Sequence, residues 1–247
     1  MAEAAAAPFA GWDFSWLHGR LVGEELAWDY LTRARRLVAH AAPVLDIDTG
    51  GGEVLASLRP APGSVATEAF EPNVAVARQR LTPLGVQVLA TSPSAALPVA
   101  DDWCQLVLNR HAQLVASEMA RVLAPGGRFL TQQVGSREAL EINTALGADP
   151  AIDPDSWTLE TAVEQLRAEG LTVLAAQEQM IPHHVHDIGA LVYHLRAVSW
   201  QVPNFSVADF DDQLRAVDRV IRRDGRFTYH AHRFLIEAAL SVPPSHC

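Results

Sequence analysis

The chain has only two cysteines and no long apolar segment. Cys104 and Cys247 lie far apart in the sequence, so they give little basis for a disulfide framework and favour a reducing compartment. No run approaches the roughly 20 apolar residues that a helix needs to span a bilayer. The N terminus also lacks the basic start and apolar stretch of an export signal. We therefore expect a cytoplasmic protein.

Positive charge is also in short supply. Lys and Arg total 19 against 29 for Asp and Glu, which gives a formal net charge of -10 with His neutral. This charge repels phosphate backbones and anionic lipids, so nucleic-acid and membrane partners are disfavoured. The 247 residues, 49% of them apolar, are enough for one large core. No internal repeat and no flexible linker mark a second domain.

From Pro43 onward, short apolar runs alternate with helical patterns. This alternation is typical of parallel strands joined by crossover helices, so it predicts a doubly wound α/β fold with helices on both faces of a mostly parallel sheet. Seven strands are predicted, at 44–47, 65–67, 86–90, 106–108, 128–134, 171–179 and 226–237.

The regions outside this alternation are predicted to be helical. Residues 1–42 read as an N-terminal tail and a helical cap, with an amphipathic helix from Glu24 to Ala41. Residues 43–247 then form the α/β domain. Within that domain, a helical insertion at about 188–224 precedes the last strand.

A glycine-rich turn follows the first strand of the domain. Asp46 lies near the end of that strand, and Gly50, Gly51 and Gly52 follow. Glycine has no Cβ and tolerates positive φ, so a ligand can approach such a backbone closely. Glu68 ends the next strand, 22 positions after Asp46. At this separation an acid can accept both ribose hydroxyls of an adenosine ligand, so the pair predicts a nucleoside site.

These stretches resemble the class I S-adenosylmethionine-dependent methyltransferases. The resemblance runs from about residue 12 to the C terminus, and the segment 231–237 is similar to an uncharacterised bacterial subgroup. It implies S-adenosylmethionine as cofactor, S-adenosylhomocysteine as product, a small organic acceptor and an antiparallel last strand. The matching stretches are Val44–Glu53, Ala66–Asn73, Leu97–Pro98 leading into Leu106–His111, and Ala120–Gly127.

The resemblance also implies roles for single residues. Asp46 orients the amino-acid end of the cofactor, and Glu68 binds the ribose. Gly50 and Gly52 let the cofactor pass over the turn. The full set of predicted cofactor-binding residues is Asp46, Asp48, Thr49, Gly50, Gly52, Glu68, Ala69, Ser94 and Asn109.

Two positions depart from the family pattern. Asp48 stands where the family usually has its first glycine, and its charge attracts the sulfonium but repels the cofactor's carboxylate. The family also commonly offers an Asp to the adenine amino group just before Leu97, where this chain has Thr91-Ser92-Pro93-Ser94. Adenine binding is then expected to rest on Ser94 or on backbone groups. The alternative is a methyltransferase-like protein that no longer methylates and acts as a ligand-binding protein or cyclase.

Histidines supply the remaining candidates. His111 follows the fourth strand, at the sheet edge where open α/β folds bind ligands, so it is the candidate catalytic base. A structural histidine is the alternative for this position. His183, His184 and His186 are not expected to hold a metal. Only His184 and His186 share a face of an extended segment, and two ligands are too few.

Other features are less informative. An NAD-binding oxidoreductase fits less well, because the turn lacks the spaced glycines of a pyrophosphate site. The acceptor, the atom methylated and the oligomeric state, monomer or homodimer, are left open. Five aromatic residues are predicted to be packing residues, with an acceptor-lining role as the alternative: Trp12, Trp16, Trp28, Tyr193 and Trp200.

Overall fold

A computed structural model describes residues 2–7, 14–92 and 96–242. Trp12, Ser94 and Cys247, singled out from the sequence, lie outside these ranges. No helix within them is both long and apolar enough to cross a membrane. The fold is α/β, with a mixed eight-stranded sheet and helices.

The sheet has the order β1-β7-β8-β6-β5-β2-β3-β4. The pairs β4–β3, β3–β2, β2–β5 and β5–β6 are parallel, whereas β1 is antiparallel to β7. The strands are β1 (Leu21–Gly23), β2 (Val44–Ile47), β3 (Val65–Glu68), β4 (Gln87–Ala90), β5 (Cys104–Arg110), β6 (Leu123–Val134), β7 (Leu171–Val185) and β8 (Phe227–Leu240).

The last strand runs opposite to β6. Arg128 of β6 forms an ion pair with Glu237 of β8. Gly135, one residue past β6, donates its N–H to the carbonyl of His232 at 3.0 Å. Residue numbers along β8 fall as those along β6 rise, which is the register of an antiparallel pair.

The predicted count of seven strands is wrong by one, because β1 is an additional strand. Its three residues lie in the segment predicted to be a helical cap, and they pair with Val185, His184 and His183 of β7. None of the three is buried, so β1 carries no apolar pattern that could indicate a strand. Backbone hydrogen bonding to the sheet edge forms it instead.

The described residues contain nine α-helices and two short 3-10 helices. The 3-10 helices are Ser15–Leu17 and Thr82–Leu84. The α-helices are α1 (Ala2–Ala6), α2 (Tyr30–Val38), α3 (Glu53–Leu58), α4 (Glu71–Leu81), α5 (Ala116–Val122), α6 (Leu140–Leu146), α7 (Leu159–Ala168), α8 (Ile188–Ala197) and α9 (Asp211–Asp224).

The cap helix is shorter than predicted. It begins at Tyr30 rather than near Glu24, because the side chain of Asp29 accepts the Thr32 N–H at 3.1 Å and so caps the helix. The predicted insertion is helical, as α8 and α9. Asp187 caps α8 in the same way, by accepting the Ala190 N–H at 3.0 Å.

The chain forms two compact units. The first contains the described residues of 1–27, 135–157 and 179–233, and the second those of 28–134, 158–178 and 234–247. Strand β2 is central to the second unit, and all four of its residues are buried. Such a nearly continuous apolar run is typical of a parallel strand that is covered on both faces. The division at residue 42 that the sequence suggests remains a prediction.

Candidate cofactor site

The glycine-rich turn is held against the end of β3. Thr49 donates its N–H to the carbonyl of Thr67 at 2.9 Å, and the Asp48 N–H lies 3.2 Å from the Thr67 hydroxyl. Because β2 and β3 are parallel neighbours, their carboxyl ends meet at one edge of the sheet. The turn and Glu68 therefore lie together, as the spacing predicts.

The predicted glycines Gly50 and Gly52 have different surroundings. Both have a positive φ, +64° and +79° respectively, which residues with a side chain rarely adopt. A Cβ on Gly50 would meet no atom within 4 Å, so open space lies above the backbone there. A Cβ on Gly52 would lie 2.9 Å from the Leu81 side chain of α4. Gly52 thus allows helix packing, and its contact with a cofactor stays a prediction.

Glu68 connects the two turns at this edge. Its Oε2 accepts the Gly50 N–H at 2.6 Å, and its Oε1 accepts the Phe70 N–H at 2.8 Å. Burial raises the pKa of the carboxyl, while these two N–H groups oppose that shift. A carboxylate offers about four acceptor positions, and the Ala69 N–H also acts on this carboxyl, so about one or two remain for hydroxyl groups of a ligand. The sequence predicted that Glu68 binds a ligand, but not that it holds the Gly50 and Phe70 turns together.

Asp46 is the most perturbed acid at the site. Its pKa is raised to about 7, chiefly by burial in β2, and the negative charges of Asp48 and Glu68 contribute to that rise. The nearby Thr49 hydroxyl and the guanidinium of Arg110 act in the opposite direction. The Thr49 hydroxyl is itself buried, yet among the described residues it makes no hydrogen bond of good geometry. It is a polar atom that a ligand could satisfy.

Asp48 adopts a left-handed backbone conformation. Its φ is +49°, a region that is uncommon for residues with a side chain. Burial raises the pKa of its carboxyl, and the backbone N–H of Ala69 opposes that shift. Asp48 and Ala69 both line the cavity beside the turn. An acidic residue, exposed to solvent, therefore stands at this wall of the cavity.

The cavity has a volume of about 120 Å³. Sites that enclose a whole ligand usually measure roughly 300–1,000 Å³, so this cavity would enclose only one part of a ligand. Both Thr91 and Ser92, which replace the family's usual acid, lie in its wall. Its described lining is Ile47, Asp48, Thr67, Ala69, Thr91, Ser92, Leu97, Gln113, Val115, Glu118 and Met119.

An ion pair on α5 holds one wall of the cavity in place. Glu118 accepts the Leu97 N–H at 2.7 Å, and Arg121 donates to the Leu97 carbonyl at 2.9 Å. Glu118 and Arg121 also pair with each other at 2.7 Å. Sequence reasoning missed these residues, although an acid and an arginine three positions apart on a helix are a recognisable pair.

Asn109 lies near the carboxyl end of β5, and His111 follows the last residue of that strand. Asn109 is fully buried; its Nδ2 donates to the Gln113 carbonyl at 3.1 Å and its Oδ1 accepts from Gln133 at 2.9 Å. These bonds shape the turn after β5. The contact of Asn109 with a cofactor stays a prediction. His111 is exposed, has a φ of +69° and donates its N–H to the Gln132 carbonyl at 2.8 Å.

The three neighbouring histidines of the first unit each have a separate partner. His183 contacts the Ile181 carbonyl at 3.1 Å, and His184 contacts the Thr228 hydroxyl at 3.0 Å. His186 contacts the Gly225 carbonyl at 3.1 Å. No group of three or more potential metal ligands occurs in the described ranges. The contacts favour structural roles.

The predicted packing aromatics of the first unit differ in their surroundings. Trp16 stacks on Tyr193 with ring centroids 4.8 Å apart, as expected for packing residues. Trp200 is instead 56% exposed.

No protein-family model matches the sequence, and no curated protein matches it. Solved structures do resemble it. A proposed methyltransferase of Bacillus halodurans C-125 has a TM-score of 0.61 at 17% identity, over 86% of this chain and 99% of that chain. The YcgJ protein of Bacillus subtilis has a TM-score of 0.58 at 20% identity, over 87% of this chain and 99% of that chain.

A cyclase also shares the fold. The 4+2 cyclase SpnF has a TM-score of 0.55 at 18% identity, over 86% of this chain and 80% of that chain. At these identities the likeness establishes the fold alone, a Rossmann-like α/β fold of the kind found in methyltransferases.

Proposed function

We propose that this protein is an S-adenosylmethionine-dependent methyltransferase that transfers the methyl group directly to a small organic acceptor. The observation that carries the proposal is the Glu68 carboxylate, which bridges the Gly50 and Phe70 N–H groups at 2.6 and 2.8 Å. This arrangement places an acid beside the glycine-rich turn, with oxygen lone pairs that can still accept hydrogen bonds from a ligand. The resemblance in the sequence motifs supports the same cofactor.

The residues of the turn fit such a cofactor. The space above Gly50 is open, and the buried Thr49 hydroxyl lacks a partner of good geometry among the described residues. Asp46 offers a carboxyl to an ammonium group, and Glu68 offers one to the ribose. The cavity of about 120 Å³ next to Ala69 is of a size to take one ring system rather than the whole molecule.

When bound, S-adenosylmethionine supplies a methyl group that its sulfonium has already activated. The protein's own task is then to align the acceptor and to keep water away, which needs few obligatory side chains. Asp46 assists by ionising beside positive charge, since a nearby cation lowers the pKa of a carboxyl. The net charge of -10 favours a small acceptor over a nucleic acid.

Calorimetric titration of the purified chain with S-adenosylmethionine and S-adenosylhomocysteine tests the proposal. We expect saturable binding of both. Glu68→Ala should weaken binding roughly 10- to 150-fold, the equivalent of about 1.5–3 kcal/mol for charge-assisted bonds. Glu71→Ala, which removes an exposed acid three residues further on, should leave binding unchanged. Absence of any binding at millimolar cofactor would overturn the proposal.

Because Glu68 also braces the turns, a second variant separates ligand contact from folding. Gly50→Ala adds a Cβ that meets no protein atom within 4 Å, so the methyl group clashes with no protein side chain, and the positive φ of +64° costs about 1 kcal/mol of backbone strain. We expect a loss of cofactor affinity larger than the change in the unfolding free energy of the free protein. Equal affinity for wild type and Gly50→Ala would place the cofactor elsewhere.

A second candidate function rests on Asp48. This acidic residue lines the cavity where the family usually has a glycine, which favours a protein that binds a ligand without methylating it, as a ligand-binding protein or a cyclase. Asp48→Gly distinguishes the two functions. If Asp48 is an obstacle, the variant binds cofactor more tightly; if a working methyltransferase uses Asp48, the variant loses turnover.

A further inference from the structure

Three side chains of the second unit form one hydrogen-bonded series. The indole N–H of Trp28 donates to Oε1 of Gln132 at 3.0 Å. The Nε2 atom of Gln132 lies 3.0 Å from Nε2 of His111. Trp28 and Gln132 are buried, with 8% and 4% of their surfaces exposed. None of these contacts follows from the cofactor motifs.

The chemistry of the donors fixes the direction of the whole series. An indole N–H can only donate, so the Gln132 oxygen must face Trp28 and its amino group must face His111. An amide amino group also only donates. His111 must therefore accept at Nε2, and that nitrogen carries no hydrogen. The imidazole is then neutral, with its proton on Nδ1.

The backbone reinforces this placement. Gln132 pairs with Arg110 across β5 and β6, and its carbonyl accepts the His111 N–H at 2.8 Å. The same residue thus binds both the main chain and the ring of His111. The φ of +69° at His111 turns the chain at this point, directly after the last residue of β5.

We propose that Gln132 and Trp28 are positioning residues that hold His111 as the neutral Nδ1–H tautomer. The tautomer follows from the hydrogen-bond geometry and does not depend on the proposed function. One consequence does rest on that function: His111 is the catalytic base predicted from the sequence, and its Nε2 is already occupied. Nε2 can take a proton from an acceptor only after the Gln132 bond breaks.

Nitrogen NMR of the full chain, labelled with ¹⁵N-histidine, tests the assignment. The unprotonated nitrogen of a neutral imidazole resonates far downfield of the protonated one, so long-range proton–nitrogen correlations identify the tautomer. His111→Gln identifies the His111 signals by their loss. Spectra are recorded at pH 8, above the ordinary histidine pKa of about 6.5. We expect His111 to be protonated at Nδ1 and unprotonated at Nε2.

Gln132→Glu is the sharpest variant. A carboxylate still accepts the Trp28 N–H, but it cannot donate to His111. We expect the His111 signals to reverse, with the proton moving to Nε2. Trp28→Phe keeps the buried ring but removes the donor, which frees the amide to turn and should give a mixture of tautomers. Trp200→Phe, at an exposed tryptophan, is the matched control and should leave the His111 signals unchanged.

Two results would overturn the proposal: an Nε2–H tautomer in the wild type, or unchanged His111 signals in Gln132→Glu. The wild-type spectrum decides even if Trp28→Phe fails to fold. The outcome is independent of cofactor binding, so a failed titration with S-adenosylmethionine would refute the proposed function and leave the tautomer assignment intact.

Discussion

Asp46 links the stability of the free protein to pH. Only 7% of the residue's surface is exposed, and burial is the main cause that raises its pKa from an ordinary value near 3.8 to about 7. Between these two values the folded chain binds more protons at this position than the unfolded chain does. The free energy of unfolding therefore falls as pH rises through this interval. Asp46→Asn, which stays neutral at every pH, removes this dependence.

The size of the effect follows from the two pKa values. A difference of about three pH units corresponds to about 4 kcal/mol, at about 1.4 kcal/mol for each. Roughly a third of this stabilisation is already lost by pH 5, so the free energy of unfolding falls by about 3 kcal/mol between pH 5 and pH 8. Relative to wild type, Asp46→Asn should therefore gain about 3 kcal/mol of stability over the same range.

Urea unfolding of the cofactor-free protein at pH 5, 6, 7 and 8 measures this difference. The control is Asp149→Asn, at an exposed aspartate, whose offset from wild type should not follow the same curve. An offset between Asp46→Asn and wild type that stays constant with pH, or that falls as pH rises, would refute the reasoning. It would mean that Asp46 is not buried as a neutral acid.

Three further predictions concern stability and reactivity. Gly135→Ala places a Cβ in severe steric overlap with the imidazole ring of the fully buried His232, so it should lower the free energy of unfolding by about 3 kcal/mol or more in urea unfolding. Gly147→Ala, whose Cβ meets nothing within 4 Å, should lower it by only about 1 kcal/mol. Burial raises the pKa of the Cys104 thiol to about 12, so iodoacetamide should modify it only as fast as the chain unfolds; rapid labelling of the native protein, mapped by peptide mass, would contradict this. Thr158→Ala removes the cap of α7 and should lower the unfolding free energy by about 1 kcal/mol, while Thr158→Ser should restore it.

The central strands could be predicted from the sequence because burial on both faces leaves a nearly continuous apolar run. The predicted bounds 44–47 coincide with β2 for this reason. Helix α6 was not predicted, because Ala139 precedes it and provides no capping side chain. Strand β1 was missed because its pairing is a backbone contact to a distant strand, and no local pattern records such a contact.

The candidate site divides in the same way. Asp46, Gly50 and Glu68 could be predicted to lie together, since parallel neighbouring strands end at the same edge of the sheet. The bond between Trp28 and Gln132 joins residues 104 positions apart, so a search along the chain could not find it. Trp28 was predicted to be a packing residue, and its burial agrees with this, but its indole N–H has a second role.

The two acids of the site differ because their hydrogen-bond partners differ. Glu68 accepts two backbone N–H groups, which stabilise its ionised form against the cost of burial. Asp46 has the Thr49 hydroxyl and the charge of Arg110 to favour its ionised form, but burial outweighs them and the charges of Asp48 and Glu68 also oppose its ionisation. Folding without a ligand therefore leaves Asp46 in an unfavourable environment near neutral pH. A ligand that brings positive charge to the turn would stabilise the ionised carboxylate of Asp46. The residue that lowers the stability of the free protein as pH rises is therefore also the one whose ionisation favours binding of a cationic ligand.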